Sequence, residues 1–357
     1  MIKKVAIVGT QGVPANYGGF ESLVDNLLGE NCPDGVQYTV FCSSRDLPDR
    51  RSSYKGATLK YIPLHANGAQ SIPYDILSMC RCMRGYDAVL VLGVSGCLFL
   101  PVLKAFGRSR IIVNIDGLEH RRAKWGPVAR RVLRMSEAVA VRTAHVVIAD
   151  NKGIQDYVAQ TYARPAALVA YGGDHAMRSI SEDFAAATLA RYGLRKDGYA
   201  ITVCRIEPEN NSDIILEAFS RMPERQLVFI GNWNHSEWAR GLKAKYAGCA
   251  NMLLLDAIYD LDVLYALRSS AAVYLHGHSA GGTNPSLVEA MCLSRPVVAF
   301  DVVYNRETTE GRAAYFSDAD SLVAALQGPW PDGGVMFEIA RRRYTWRHIS
   351  QQYASLY

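Results

Sequence analysis

The feature that most restricts this chain is a repeated alternation of short apolar runs with helical or loop segments. After residues 5–8, such runs recur at 37–41, 58–62, 88–92, 111–115, 146–149 and 167–170. A second series begins at 200–203 and continues through 226–230, 252–255, 272–275 and 296–300. Helical segments at 213–221, 236–246 and 261–267 separate its members. Strands that alternate with helices argue for parallel, doubly wound sheets in the α/β class. The turn residues Tyr171-Gly172-Gly173-Asp174 end the first series, and 179–196 reads as a short helix and linker. This predicts an N-terminal Rossmann-like domain over 1–178 and a second over 195–338. Their strand-end loops are expected to face one another across a cleft. The aromatic, amphipathic tail reads as one or two helices, with 344–357 expected to pack back on the first domain.

At 357 residues the chain is too long for one ordinary core and suits two domains. It is 49% hydrophobic and 20% charged, hence globular, and its net charge of +5 matters only where it is concentrated. The eight cysteines are scattered without a CxxC pair, and the one CxC, Cys80 with Cys82, has no second pair. They read as reduced thiols in a cytosolic protein, and no metal is expected. Residues 1–9 form a strand rather than a leader, and the longest apolar run, 88–103, is broken by Gly93, Gly96 and Pro101. The expected location is cytoplasmic, soluble or attached to the membrane surface.

The densest chemistry lies in HGHSAGGTNPSLVEAM, residues 276–291. An apolar strand feeds a loop with Gly281 and Gly282, then Thr283 and Asn284 as helix-start residues and Pro285 at the first helical position. Strand, glycine loop and helix N-terminus turn backbone N–H groups toward a phosphate. Glu289 falls about one turn inside the helix, within reach of a ribose hydroxyl. An ordinary capped helix after a tight turn gives the same pattern. Arg205, in CRIEPENN, follows the first strand of the second series, which places it beside that loop in one sheet. A guanidinium there suits two phosphate oxygens, and an ion pair with Glu207 or Glu209 is the alternative.

Three further stretches stand out. The loop GTQGVPANYGGFE, residues 9–21, follows the first strand and holds Gly18 and Gly19 at a helix start, although its glycine spacing is not GxGxxG. In NIDGLEH, Asp116 and His120 are placed to meet a sugar hydroxyl or an acceptor, and Glu119 equally suits a solvated turn. Arg121, Arg122, Lys124, Trp125, Arg130, Arg131, Arg134 and Arg142 then interleave with apolar residues as a basic amphipathic helix. Such a face suits an anionic membrane, where each basic residue contributes about 1 kcal/mol, and a solvated helix face is the other reading. Asp260-Leu261-Asp262 is read as a helix cap, and no nucleic-acid-binding module is recognisable.

Together these motifs resemble the retaining glycosyltransferases of family 4, which have the GT-B fold. Within that family the set GTQGVPANYGGFE, NIDGLEHRRAKW, CRIEPENN and HSAGGTNPSLVEAM is similar to bacterial rhamnosyltransferases of surface-polysaccharide synthesis. The resemblance implies a metal-independent transferase whose donor is a nucleotide diphosphate sugar and whose acceptor is a lipid-linked glycan. It assigns Arg205 to the diphosphate and Glu289 to the ribose. Two positions depart from the family: Gly281 replaces the first glutamate of a Glu-x7-Glu pair, and Asn211 stands where a lysine usually grips the diphosphate. Donor sugar contacts then fall to the backbone at Gly281–Thr283. Asp116 replaces a histidine near the sugar's sixth carbon, compatible with a 6-deoxy sugar such as rhamnose from its deoxythymidine diphosphate. A nucleotide-sugar epimerase of the same fold and a non-catalytic nucleotide-sugar-binding protein are the rival readings.

Overall fold

The computed structural model of the chain describes residues 2–15, 18–121 and 125–357. Two compact units emerge, Met1–Tyr171 with Trp346–Tyr357, and Gly172–Thr345. The first carries β1 (Lys3–Val8), β2 (Val36–Ser43), β3 (Ser53–Tyr54), β4 (Ala57–Ile62), β5 (Ala88–Leu92), β6 (Arg110–Asn114), β7 (Val146–Ala149) and β8 (Ala167–Leu168). They form one sheet in the order β3-β4-β2-β1-β5-β6-β7-β8. All neighbours run parallel except β3 with β4. The central strands β1 and β5 are apolar on both faces because helices cover both, which is why their sequences lack alternation. The hairpin that adds β3 turns at Lys55 and Gly56, both at positive φ (44° and 83°). Too short and polar to show as an apolar run, β3 is absent from the sequence expectation.

The C-terminal helix Trp346–Leu356 belongs to this first unit. It buries Trp346, Ile349 and Tyr353, each contributing about 1.5–3 kcal/mol. Asn114, at the end of β6, donates to the Tyr353 hydroxyl at 2.8 Å, so the tail also braces a strand end.

The second unit holds β9 (Tyr199–Val203), β10 (Gln226–Ile230), β11 (Met252–Leu255), β12 (Val273–His276), β13 (Val297–Phe300) and β14 (Ala314–Phe316). Their order is β11-β10-β9-β12-β13-β14, parallel throughout. Phe219, Phe229, Trp233, Leu275 and Phe316 share one core. Residues 172–178, assigned from the sequence to the first domain, lie in this unit, as do 179–194, read there as a short helix and linker. There the helix Glu182–Arg191 packs on the helix Leu261–Ser269. The chain crosses between units at Tyr171 because Gly173 lies flat on the helix Pro285–Cys292. A Cβ on Gly173 would stand 2.6 Å from the Val288 carbonyl, and its N–H donates to the Tyr344 carbonyl at 2.8 Å.

Each sheet reverses its winding once. In the first, the chain runs outward from β1 through β2 and β4 and returns to the far side of β1 as β5; in the second, β12 returns beside β9 in the same way. Ligands of open α/β sheets bind at such switch points, outside the carboxyl ends of the strands.

Candidate functional site

In the second unit the switch point brings together the two stretches that the sequence singled out. β12 pairs directly with β9, Val273 opposite Ala200 and Tyr274 opposite Ile201. The loops that leave them, 204–211 and 277–284, are tied together by short polar side chains. Asn211 Nδ2 donates to the Gly277 carbonyl at 2.7 Å, and both the N–H and the hydroxyl of Ser279 donate to the Glu209 carbonyl at 2.8 and 2.9 Å. The buried Asn210 donates to the Arg205 carbonyl at 2.6 Å, and its Oδ1 meets His278 Nδ1. Only glycine fits at 277, since a Cβ there would lie 2.1 Å from the Asn210 carbonyl oxygen. Asn211 therefore spends its amide on joining the loops, in a left-handed conformation (φ 48°).

Gly281 is also left-handed (φ 98°) and turns the chain toward the helix Pro285–Cys292. Asn284 caps that helix, its Oδ1 accepting from Ser286 N at 3.0 Å and Ser286 Oγ at 2.8 Å. Pro285 supplies the preset φ of the first position. Gly282 is half-buried and Thr283 buried beside this start. The uncompensated N–H groups make the helix start locally positive. Arg205 adds a full charge at the neighbouring strand end. It is exposed, and its guanidinium makes no ion pair among the described residues. Glu207, one of the alternatives, pairs instead with His235 at 2.8 Å.

Glu289 lies inside the helix with both carboxylate oxygens engaged. Arg268 donates to Oε2 at 2.6 Å, and His175 Nε2 lies 3.2 Å from Oε1. Burial alone would raise the pKa of this acid; the adjacent Arg268 charge and the hydrogen bonds from His175 and Arg268 outweigh it and bring it to about 2. Neither partner was visible in the sequence, because each comes from a separate element whose own pattern reads as ordinary. His276, at the end of β12, is buried and stacked on Tyr274 with 6.1 Å between centroids. Burial, then His278, holds it well below the usual imidazole range, so it is neutral.

The first unit presents a different strand-end edge. Glu21 anchors the loop after β1 by accepting from Thr10 Oγ1 at 3.0 Å and Gln11 N at 2.9 Å. Gly18 suits its place through its φ of 121°, a backbone conformation that other residues rarely adopt. Gly19 opens the helix Gly19–Leu27 beside the Tyr171 hydroxyl. Burial drives Tyr171 well above the ordinary phenol range, and Asp116, Asp150 and Glu21 push the same way.

Asp116 is left-handed (φ 59°) and donates its N–H to Asn114 Oδ1 at 3.0 Å. Glu119 accepts from Trp125 Nε1 at 2.9 Å. His120 Nδ1 meets Glu137 Oε2 at 2.9 Å, and the hydroxyls of Tyr157 and Tyr162 both donate to Glu137 Oε1 at 2.8 Å. Glu137 is thus a buried anchor, a role its helical spacing from Leu133, Ala140 and Val141 would have signalled.

Arg122 and Lys124 lie outside the described residues, as does the side chain of Arg121. The basic helix spans Pro127–Thr143 and exposes Arg130, Arg131 and Arg134 with Val128 (78%) and Met135 (53%). The helix Leu100–Phe106 packs beside it and exposes Val102 and, at 74%, Phe106. No acid is exposed in residues 98–110 or 126–145. Among the described residues no helix is long and apolar enough to cross a membrane, and no group of three or more His, Cys, Asp or Glu is placed to hold a metal ion. Asp260 caps the helix Leu261–Ser269, accepting from Asp262 N and Val263 N.

Residues 2–174 match the family described as "Domain of unknown function (DUF1972)", and residues 190–326 match "Glycosyl transferases group 1". No curated protein matches the chain. Among solved structures, sucrose-phosphate synthase from Thermosynechococcus elongatus is similar with a TM-score of 0.81 at 18% identity, over 99% of this chain and 98% of that one. Anabaena Alr3699/HepE in complex with UDP gives 0.76 at 14% identity, over 99% of both chains. The same protein with UDP-glucose gives 0.76 at 14%, over 99% of this chain and 98% of that one. Two parallel-sheet Rossmann-like units of this kind are the GT-B fold.

Proposed function

We infer that this chain, whose group 1 domain and GT-B fold support a glycosyltransferase, moves a hexose from a nucleotide diphosphate donor to a lipid-linked glycan with net retention. The observation that carries the reading is the switch point of the second unit: Arg205, exposed and without an ion pair among the described residues, follows β9, and the adjacent strand β12 leads to the capped start of the helix Pro285–Cys292. An anion is the ligand that such an edge recognises. In the reaction, the acceptor hydroxyl attacks the anomeric carbon on the face from which the diphosphate leaves. The bond to the phosphate oxygen breaks as the new glycosidic bond forms, and that oxygen takes the hydroxyl's proton. Charge builds on the departing diphosphate, so fixed positive groups serve the reaction better than a strong base. Arg205 and the N–H groups at 283 and 284 supply them. Backbone at Gly281–Thr283 holds the donor sugar, Glu289 the nucleoside ribose, and no metal enters the scheme.

The sequence resemblance favours deoxythymidine diphosphate rhamnose, whereas Alr3699/HepE was solved with UDP-glucose. In this reading Gly18 and Gly19 are donor-binding residues, Asp116 is catalytic, and Glu119 and His120 are on the acceptor side. The exposed arginines and apolar side chains of the helices Leu100–Phe106 and Pro127–Thr143 seat the enzyme on an anionic cytoplasmic membrane face. Incubation with a panel of nucleotide sugars, with and without a lipid-linked acceptor, tests the whole. Transfer with an axial-to-axial or equatorial-to-equatorial outcome, read by NMR of the anomeric proton, is expected. Interconversion of the free nucleotide sugar would make the protein an epimerase, and binding without turnover would make it a sensor.

A further inference from the structure

We propose that the hydroxyl of Tyr171 is a substrate contact of the first unit, donating to an uncharged sugar hydroxyl of the acceptor. The inference rests on the reading of the chain as a glycosyltransferase with a glycan acceptor. Tyr171 is the third residue after β8 and is 4% exposed. A buried phenol normally finds a hydrogen-bond partner. Tyr74, Tyr199 and Tyr344 donate to backbone carbonyls, and Tyr353 accepts from Asn114. The Tyr171 hydroxyl bonds nothing among the described residues, and it is not one of their sealed, unpartnered atoms, so it opens to the surface. It points at Gly19, which follows β1: a Cβ there would stand 3.6 Å from the phenol oxygen, and its absence leaves that oxygen uncovered. Its charged neighbours are Asp116 after β6, Asp150 after β7 and Glu21 in the helix Gly19–Leu27. One side chain thus crosses from the end of β8 toward that of β1 and carries an open hydrogen-bond group to the strand-end edge. The three carboxylates turn away an anion, and burial keeps the phenol neutral, with one proton to donate. A sugar hydroxyl suits such a group, being uncharged and able to accept that proton. On the same reading Asp116 is catalytic, so the bound hydroxyl lies close to the chemistry.

Tyr171→Phe and Tyr353→Phe each delete one buried phenol oxygen, and comparing them tests this. The readouts are thermal unfolding and transfer from deoxythymidine diphosphate rhamnose or UDP-glucose to phytanyl diphosphate-linked glucose, galactose and N-acetylglucosamine. Tyr171→Phe breaks no bond within the protein, so its Tm should match that of the wild-type chain. With one substrate hydrogen bond lost, its kcat/KM for the acceptor should fall about five- to tenfold while the donor KM holds. Tyr353→Phe strands the Asn114 amide instead, so it should lower Tm by about 2–4 °C and leave kcat/KM for the acceptor where it was. An acceptor kcat/KM unmoved by Tyr171→Phe overturns the proposal and leaves the transferase reading standing. A Tm loss in that variant equal to that of Tyr353→Phe, or a failure to fold, overturns it as well, since the hydroxyl then has a structural partner. A wild-type chain that transfers to none of the three acceptors overturns the underlying reading, and the proposal with it.

Discussion

The two sheets solve the same geometric problem and put different chemistry on the solution. At each switch point a glycine lets diverging loops touch: a Cβ on Gly9 would lie 2.0 Å from the Leu92 carbonyl oxygen, and one on Gly277 lies 2.1 Å from that of Asn210. Around Gly9 the loop is built on carboxylates, with Glu21 taking Thr10 and Gln11, and Asp25 taking the Ala15 N–H. Around Gly277 it is built on neutral amides and hydroxyls, which leaves the Arg205 charge uncommitted. One plan thus yields an edge lined by carboxylates already engaged with their own loop and an edge that carries a free-standing arginine, the one our reading gives to an anion. The fold sets where a ligand sits; the loop chemistry sets which ligand.

The contrast extends to two acids, one buried and one half-buried, and gives the largest expected effect. Burial pushes Asp75, in the first unit, up to about 8, while Glu289, in the second, falls to about 2. Between about pH 4 and 8 the unfolded chain ionises at Asp75 and the fold does not, so stability falls as pH rises through that window. Between about pH 4.5 and 2 the fold keeps Glu289 ionised while the unfolded chain protonates, so stability falls as pH drops. The shifts correspond to on the order of 3–6 kcal/mol, the larger at Asp75. Thermal unfolding should therefore show Asp75→Asn raising Tm at pH 8 but not at pH 4. Glu289→Gln should lower Tm at pH 7, the deficit closing as pH falls toward 2. Identical pH responses in the two variants would erase this contrast.

Next in size is the uncommitted cation. Arg205→Ala should reduce turnover by about 10²–10³, the cost of removing one fixed group from a developing negative charge. Because the side chain is exposed, Tm should not move. Unchanged turnover in a folded variant removes Arg205 from the chemistry and with it the idea of an anion edge.

Much of this plan was legible because parallel strands buried on both faces are apolar runs, and because Arg205 and Gly281 stand at the ends of strands that flank one switch point. The unit boundary was less so. The helix Glu182–Arg191 looks like a linker since its alanine-rich surface shows little amphipathic contrast, while the true crossing at Tyr171 depends on Gly173 touching a helix more than a hundred residues on. The partners of Glu289 were invisible for the same reason. Arg268 and His175 come from two further elements, and spacing within one element carries no information about contacts between elements. Asn211 was legible as a departure, but its bond to Gly277, which joins the two loops, was not.

Smaller effects sharpen the comparison of loops. Gly9→Ala and Gly277→Ala should each cost about 1–3 kcal/mol in chemical denaturation, as overpacking does. Gly9→Ala should cost the more, since its φ of 91° adds backbone strain. Gly248→Ala, where no atom lies within 4 Å, is the control. Equal, negligible costs at 9 and 277 would mean that the switch points are not held by close approach.

The smallest expected effect compares two arginine-rich helices. In the helix Gly333–Arg343, Arg341 pairs with Glu338, Arg342 with Glu310, and Arg343 with Glu307 and Glu310. Along Pro127–Thr143 no acid is exposed, and Phe106 and Val128 stand out nearby. On the proposed reading it is the second arrangement that meets a membrane. Sedimentation with phosphatidylglycerol vesicles should weaken by about fivefold for each of Arg131→Gln and Arg134→Gln, near 1 kcal/mol apiece, and Phe106→Ser should weaken it further. Arg341→Gln and Arg342→Gln should leave it unchanged, and pure phosphatidylcholine should bind none of the proteins appreciably. Equal losses from both helices would mean that net charge alone drives the binding and that the first unit has no dedicated membrane face.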